Sequence, residues 1–339
     1  MKPVWTSMAT AMTVLAIVLG LTSCANSSND ANTIIVYNAQ HESLTREWID
    51  AFTAETGIEV TLRQGSDTAL ANQLVAEGAA SPADIFLTEN SPAMMLVENA
   101  GLFADVDPRT LDQVPTRFRP STGKWTGIAA RSTVLVYNKS EIPADQLPVS
   151  LLDLAQPQWK GRWGAGVSGA DFQAIVAGLL ALKGEETTRA WLQGMKENAT
   201  AFPNNVATMK AVDSGSPEAG VIYHYYWYRD QANTKENSAD TALHYFRNQD
   251  PGAFVSISGG GVLASSDNQP AAQKLLAFIT GMSGQTVLRD GSSMEYPVAS
   301  TVAANPALVP LADLQAPAID PSRLDSRKVT QLMTDAGLL

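Results

Sequence analysis

Four of the chain's eight tyrosines fall within six residues, as Tyr223, Tyr225, Tyr226 and Tyr228. The adjacent pair Tyr225-Tyr226 carries the chemistry. A phenol titrates near about pH 10, so it becomes a ligand only for a cation acidic enough to displace its proton. Hard anionic oxygens select hard cations, whereas thiolates select zinc or copper(I). Two neighbouring phenolates therefore suit ferric iron, and His41 and Glu89 supply the imidazole and carboxylate that such a centre would add. On the residues alone two other readings stand beside it. The tyrosines could form a platform that stacks an organic or phosphorylated solute, or the chain could be a surface sensor or adhesion protein. A sensor should expose a large apolar patch rather than close a polar cleft.

Each candidate ligand follows a segment that reads as a strand. Residues 33–37 are β-rich and end at Asn38-Ala-Gln-His41, residues 83–87 deliver Thr88 and Glu89, and residues 219–223 lead to Tyr225 and Tyr226. Between them lie helical patterns. One runs over 43–53 with Ser43 at its N-cap, Leu44, Trp48, Ile49 and Phe52 on one face, and Gly57 closing it. Ser66-Asp67 caps a helix to Glu77, and further helical stretches fall near Leu151, at 172–182, 186–196, 206–212 and 270–281. Strands at 58–62 and 133–137 and a glycine-rich strand at 256–264 complete an α/β alternation. The expected architecture is two lobes of mixed, mostly parallel sheet joined by crossing hinge strands. Residues 33–131 with about 257–308 would form lobe 1, and 132–256 with about 309–339 lobe 2. In open α/β sheets ligands gather outside the carboxyl ends of strands, which is where all the candidate ligands fall.

Lys2, an apolar run over 12–21 and Leu21-Thr22-Ser23-Cys24 have the layout of a signal peptide, too short for a comfortable membrane span. Leu-Thr-Ser-Cys resembles the lipobox of bacterial lipoproteins. That resemblance implies removal of residues 1–23, lipidation of Cys24 and a polar tether over 24–32. The body would then be lipid-anchored outside the cytoplasm, on the outer face of the cell membrane or in the periplasm. Cys24 is the one cysteine, so no intramolecular disulfide forms and stability must come from a core, which 45% hydrophobic residues can build. With 34 acids against 23 lysines and arginines, the net charge of −11 opposes a nucleic-acid partner. The chain has no Gly-x-Ser-x-Gly elbow, no His-Glu-x-x-His and no phosphate-binding P-loop, so an enzyme is not expected. Gly259-Gly260-Gly261 lies in a strand-like run and reads as a bend or a close approach.

Tyr37-Asn-Ala-Gln-His-Glu42, Ser81-Pro-Ala-Asp-Ile-Phe-Leu-Thr-Glu89 and Tyr225-Tyr-Trp227 together resemble the ferric-iron-binding solute receptors of bacterial ABC importers. Trp159-Lys-Gly-Arg162, Val167-Ser-Gly-Ala170, Asn204 and Arg247-Asn-Gln-Asp-Pro-Gly252 extend the match, in order, over nearly all of the chain after the leader. The resemblance implies a transferrin-like, type II binding-protein fold that closes on a hinge. It implies one Fe3+ held by His41, Glu89, Tyr225 and Tyr226. A phosphate or carbonate-type anion would sit at Ser168, Gly169 and Ala170, with Asn204 as a further contact. A monomer delivering its cargo to an ABC-transporter permease is the implied biology. Tyr223 departs from the pattern, standing where known members have an anion-binding asparagine. Arg131 is expected near the cleft, Trp227 and Tyr228 as packing, and His224 pointing away from its neighbours along an extended chain. His244 has no partner that the sequence names.

Overall fold

Residues 33–339 are described by the computed structural model; the expected signal peptide, Cys24 and the expected tether lie outside the described residues. In the first part of the chain, β1 (Thr33–Asn38), α1 (Glu42–Thr56), β2 (Glu59–Gln64), α2 (Asp67–Glu77) and β3 (Ile85–Leu87) build two parallel strand pairs with helical crossovers. Then come α3 (Ser91–Asn99), the short α4 (Pro108–Leu111) and the long β4 (Thr126–Asn138). The second part holds β5 (Trp163–Ala165), α5 (Ala170–Asn198), β6 (Ala199–Ala201) and α6 (Asn205–Asp213). It continues with β7 (Ala219–Tyr223), α7 (His224–Ala232) and β8 (Thr241–His244). β9 (Val255–Val262) returns to the first part, followed by α8 (Gln269–Thr280), α9 (Met282–Asp290) and α10 (Ser326–Asp335).

The strands follow one path, β2-β1-β3-β9-β4-β7-β5-β6, with β8 also on β4. The two expected sheets are the halves of this path, because β4 belongs to both. Its residues 126–132 pair with β9, and its residues 133–138 pair with β7 and β8. The pairing is mixed, as expected: the outer pairs are parallel and the central ones antiparallel. A strand that leaves one lobe and another that returns must run in opposite directions where they meet. Each lobe has its own apolar centre. Trp48, Phe52, Leu275 and Ile279 pack on one face of the lobe 1 sheet, and Leu74, Phe86, Met94 and Trp125 on the other. Lobe 2 is built around Trp163, Phe172, Trp191, Tyr223 and Tyr225.

The local differences from expectation have local causes. α1 starts at Glu42, with His41 rather than Ser43 as its N-cap, and the imidazole makes no capping bond. The segment near Leu151 is a 3-10 turn, Leu151–Ala155, closed by a Ser150–Asp153 capping box. The two helices expected at 172–182 and 186–196 adjoin across Gly184, whose φ of 78° no L side chain adopts comfortably. In β9 the glycines serve close packing. A Cβ on Gly260 or Gly261 would lie 2.7 Å from Leu276 or Phe103, and one on Gly259 closer still to Met94. Among the described residues no helix is long and apolar enough to cross a membrane.

Candidate metal centre

Two strand ends and two helix starts deliver the polar side chains of the cleft. His41 follows β1 and opens α1, and its backbone N–H is held by Gln40 Oε1 at 2.7 Å. Glu89 lies just beyond β3. Its N–H donates to Asp67 Oδ1 at 2.9 Å, and its carbonyl accepts from Ser258 Oγ at 3.0 Å. From the other lobe, Tyr225 and Tyr226 occupy the first turn of α7, immediately after β7, and Asp171 the first turn of α5. His41, Asp67, Glu89, Asp171, Asn204 and Tyr226 line a cavity of about 390 Å³, and Tyr225 lies fully buried behind it.

All four sequence-predicted ligands come together. His41 Nδ1 lies 3.1 Å from Glu89 Oε1. Tyr226 donates its hydroxyl to Asp171 Oδ2 at 3.0 Å, and Tyr225 reaches the same oxygen at 3.5 Å. The two phenol rings are 4.2 Å apart between centroids, and Tyr225 meets His41 edge-on at 5.1 Å. Donor atoms at right angles about an ion, with bonds of about 2.1 Å, lie about 3 Å apart. The 3.0 and 3.1 Å separations have that dimension. Among the described residues no group of three or more His, Cys, Asp and Glu side chains converges tightly enough to hold an ion. The phenols are the further donors available beside them, and phenolates favour a hard, strongly acidic cation.

The electrostatics agree with that chemistry. Burial first, then the positive charges of Arg131 and Arg229, pushes His41 down to about 3, so its ring is neutral and keeps a lone pair. Burial, then the neighbouring Asp171, holds Glu89 well above the usual carboxylate range. The same two causes, in the same order, push the Tyr225 and Tyr226 phenols well above 10. Burial also raises Asp67 to about 7 against the hydrogen bonds from Glu89 and Asn90. Acidic groups this crowded hold protons that a metal cation would displace. The cation among them is Arg131, fully buried, with Nη2 2.5 Å from Glu295 Oε2. Its Nη1 lies 3.6 Å from Glu89 and 3.9 Å from Asp171.

At the expected anion seat, Ser168 is exposed, Gly169 is the N-cap of α5, and Gly169, Ala170 and Asn204 line the cavity. Asn204 caps α6, its Oδ1 accepting from Ala207 N at 2.9 Å. Between this rim and the phenols stands a residue the sequence reading missed. The Asp171 carboxylate accepts from Asn90 Nδ2 at 2.9 Å and Asn205 Nδ2 at 2.7 Å as well as from Tyr226. An acid directly after Ser-Gly-Ala, at a helix start that favours negative charge, was the signal available. Tyr223 donates to Asn90 Oδ1 at 3.4 Å and to the Asp171 backbone carbonyl at 3.3 Å, so it supports the Asn90 side chain and the first turn of α5. Asn90, Asn205 and Glu295 were also missed, and Asp67 was read only as part of a helix cap.

The other aromatic residues have structural partners. His224 lies in a helix rather than an extended chain, stacks on Tyr296 at 4.6 Å and accepts from Ser132 N at 3.1 Å. Trp227 donates to Thr241 Oγ1 at 3.0 Å, and His244 Nε2 lies 2.9 Å from the Pro148 carbonyl.

Comparison with known proteins agrees with this architecture. Residues 80–323 match the family described as bacterial extracellular solute-binding protein. The chain belongs to that family. It is 61% identical over 306 residues to the Fe(3+)-binding periplasmic protein of Serratia marcescens, covering 90% of each chain. With the major ferric iron-binding protein of Neisseria meningitidis serogroup B it shares 35% identity, over 90% of this chain and 93% of that one. Its fold superposes on iron-bound HitA from Pseudomonas aeruginosa with a TM-score of 0.85 and 40% identity, covering 90% of this chain and 99% of that one. The solute-binding protein thus has the two-lobed α/β binding-protein fold.

Proposed function

We propose that this solute-binding protein captures one Fe3+ outside the cytoplasm and delivers it to the permease of an ABC importer. It acts by binding, not by catalysis. The observation that carries the reading is the adjacent phenol pair beside an imidazole–carboxylate pair whose donor atoms lie 3.1 Å apart, as two donors on one octahedral ion would. The printed names of the Serratia, Neisseria and Pseudomonas proteins support the cargo. His41 and Glu89 bind from lobe 1, and Tyr225 and Tyr226 from lobe 2. Closure brings residues 33–131 with about 257–308 against 132–256 with about 309–339. With His41 neutral, Glu89 and two phenolates match the ion's three charges, and the further negative charge of Asp171 lies beside Arg131.

The anion expected at Ser168, Gly169, Ala170 and Asn204 is supplied from within. Asp171 places its carboxylate beside both phenols, held by Asn90 and Asn205, where phosphate or carbonate would otherwise complete the shell. Iron capture then needs no external anion. Lipidation at Cys24 holds a monomeric body near its permease, and mass spectrometry of detergent-extracted protein would show the added acyl mass.

Visible absorbance tests the cargo. The protein, stripped of metal and titrated with Fe3+ as a weak chelate, should develop a tyrosinate charge-transfer band that saturates near one equivalent. Tyr225→Phe or Tyr226→Phe should weaken it. No band, together with no competition against the chelator, would sink ferric capture and favour an organic solute stacked on the tyrosines.

A further inference from the structure

Glu295 is a fully buried carboxylate to which ferric capture as described gives no task. Its backbone turn is unusual. Met294 holds φ at 57°, a left-handed conformation unfavourable for a residue with a Cβ. Ser293 Oγ accepts the Glu295 N–H at 3.3 Å, and Tyr296 next to it is pinned to Ala130 by two backbone bonds of 2.9 Å. This turn inserts the carboxylate beneath His41.

The two carboxylate oxygens have different surroundings. Oε2 receives Arg131 Nη2 at 2.5 Å, with Gln40 Nε2 and Ser258 Oγ each at 3.5 Å. Oε1 has no hydrogen-bond partner among the described residues, and neither has His41 Nε2; the two atoms face each other at 4.0 Å. Were Glu295 only the counter-ion of Arg131, a two-pronged pairing was open to it, since Arg131 Nε and Nη1 also have no hydrogen-bond partner. One oxygen is instead turned to the imidazole. Across the ring, Nδ1 faces Glu89 Oε1 at 3.1 Å.

We propose that Glu295 is a positioning residue for metal capture, accepting the Nε2–H of His41 so that Nδ1 presents its lone pair to the ion. The inference rests on the ferric-binding reading above. A ligating imidazole binds through one nitrogen and donates the N–H of the other, commonly to a carboxylate, which fixes the ring and strengthens its basicity. The contacts on Oε2 hold the carboxylate still, so a tilt of the His41 ring closes the remaining gap.

The test uses protein carrying 15N-histidine, loaded with diamagnetic Ga3+ as a weak chelate, with Fe3+ affinity measured in parallel by chelator competition. In the native protein the His41 Nδ1 signal should carry the metal shift, and Nε2 should bear a slowly exchanging, downfield proton. Glu295→Gln should lose that proton signature, because the amide keeps its oxygen for Arg131 and turns its NH2 toward Nε2. Its Fe3+ affinity should fall about 10–100-fold, with the tyrosinate colour still reached at saturation and the His224 and His244 signals unmoved. A native protein whose metal-bound nitrogen is Nε2 overturns the proposal without any variant. So does a Glu295→Gln protein whose affinity stays within about twofold of native. If the native protein takes up neither ion, ferric binding itself fails, and the role of Glu295 falls with it.

Discussion

The two walls of the cleft deliver their donors in different ways. On the lobe 1 wall, His41 and Glu89 stand beyond strand ends, and their backbones are tied to Gln40, Asp67 and Ser258. On the lobe 2 wall, Tyr225, Tyr226 and Asp171 stand in the first turns of two helices, with the phenols already directed at the carboxylate. The imidazole of the first wall is neutral and ready, whereas the second wall holds protons that must leave before it can bind. Lobe 1 therefore contributes a rim tied by its backbone, and lobe 2 sets most of the proton cost of capture, to which the raised Glu89 of lobe 1 adds.

The sharpest way to break this comparison is to remove the phenols. Tyr225→Phe with Tyr226→Phe should lower Fe3+ affinity at least about 1000-fold and abolish the visible band, because both anionic oxygens are lost. Chelator competition on matched samples would show it, and a smaller loss than that of Glu89→Gln would reverse the assignment of the two walls. Next in size is Asp171→Ala, expected to cost about 100-fold in phosphate-free buffer. Added phosphate should restore part of that loss while leaving the native affinity unchanged; a native protein that itself needs phosphate would contradict an internal anion.

Proton release gives a third measure. His41 is pushed down to about 3 and stays neutral as pH falls from 8 to 6, so it gives up no proton on binding. Tyr225 and Tyr226 are pushed above 10 and are protonated throughout that range, so each must lose one. Affinity should therefore fall as pH drops, by about 100-fold per unit for two protons, with a further contribution where the raised Glu89 titrates. In Tyr226→Phe the dependence should shrink to about tenfold per unit. Affinities taken at half-unit steps, corrected for the chelator's own titration, would reveal a shallower native slope if only one phenol ionises.

The smallest effect concerns the anion rim. Asn204→Ala removes the cap of α6 and should cost about 1 kcal/mol in urea unfolding, with Fe3+ affinity unchanged. Ser66→Ala, which uncaps α2 on the opposite wall, should behave alike. An affinity loss confined to Asn204→Ala would mark it as an anion contact rather than a cap.

Much of this was legible in the sequence because it depends on local pattern. The alternating strands, Gly57 as a helix stop, Ser66 as a cap and the ligands beyond three strand ends all follow from residue type and spacing. What escaped depends on side chains far apart in sequence. Glu295 reaches His41 across a gap of more than 250 positions, and Asn90 bonds Asp171 from the other lobe. Neither carries a periodic signature. The antiparallel centre of the sheet escaped for the same reason, since the pairing of β4 with β9 is set by how the chain returns and not by either strand's composition. Arg131 was placed near the cleft, but nothing in Ala-Arg-Ser-Thr-Val announces a fully buried guanidinium. A buried charge of that kind persists only with partners that fold with it.

One consequence follows from where β4 changes partners. Arg131 pairs with Ser256 of β9, Ser132 is the last residue to do so, and Thr133 already pairs with Tyr223 of β7. The two halves of the sheet therefore join one residue from the guanidinium that faces Glu89, Asp171 and Glu295. If ferric capture proceeds as proposed, a trivalent ion among those acids would repel Arg131 beside that junction. The cargo's charge would then be felt, through one side chain, where the two halves of the sheet join.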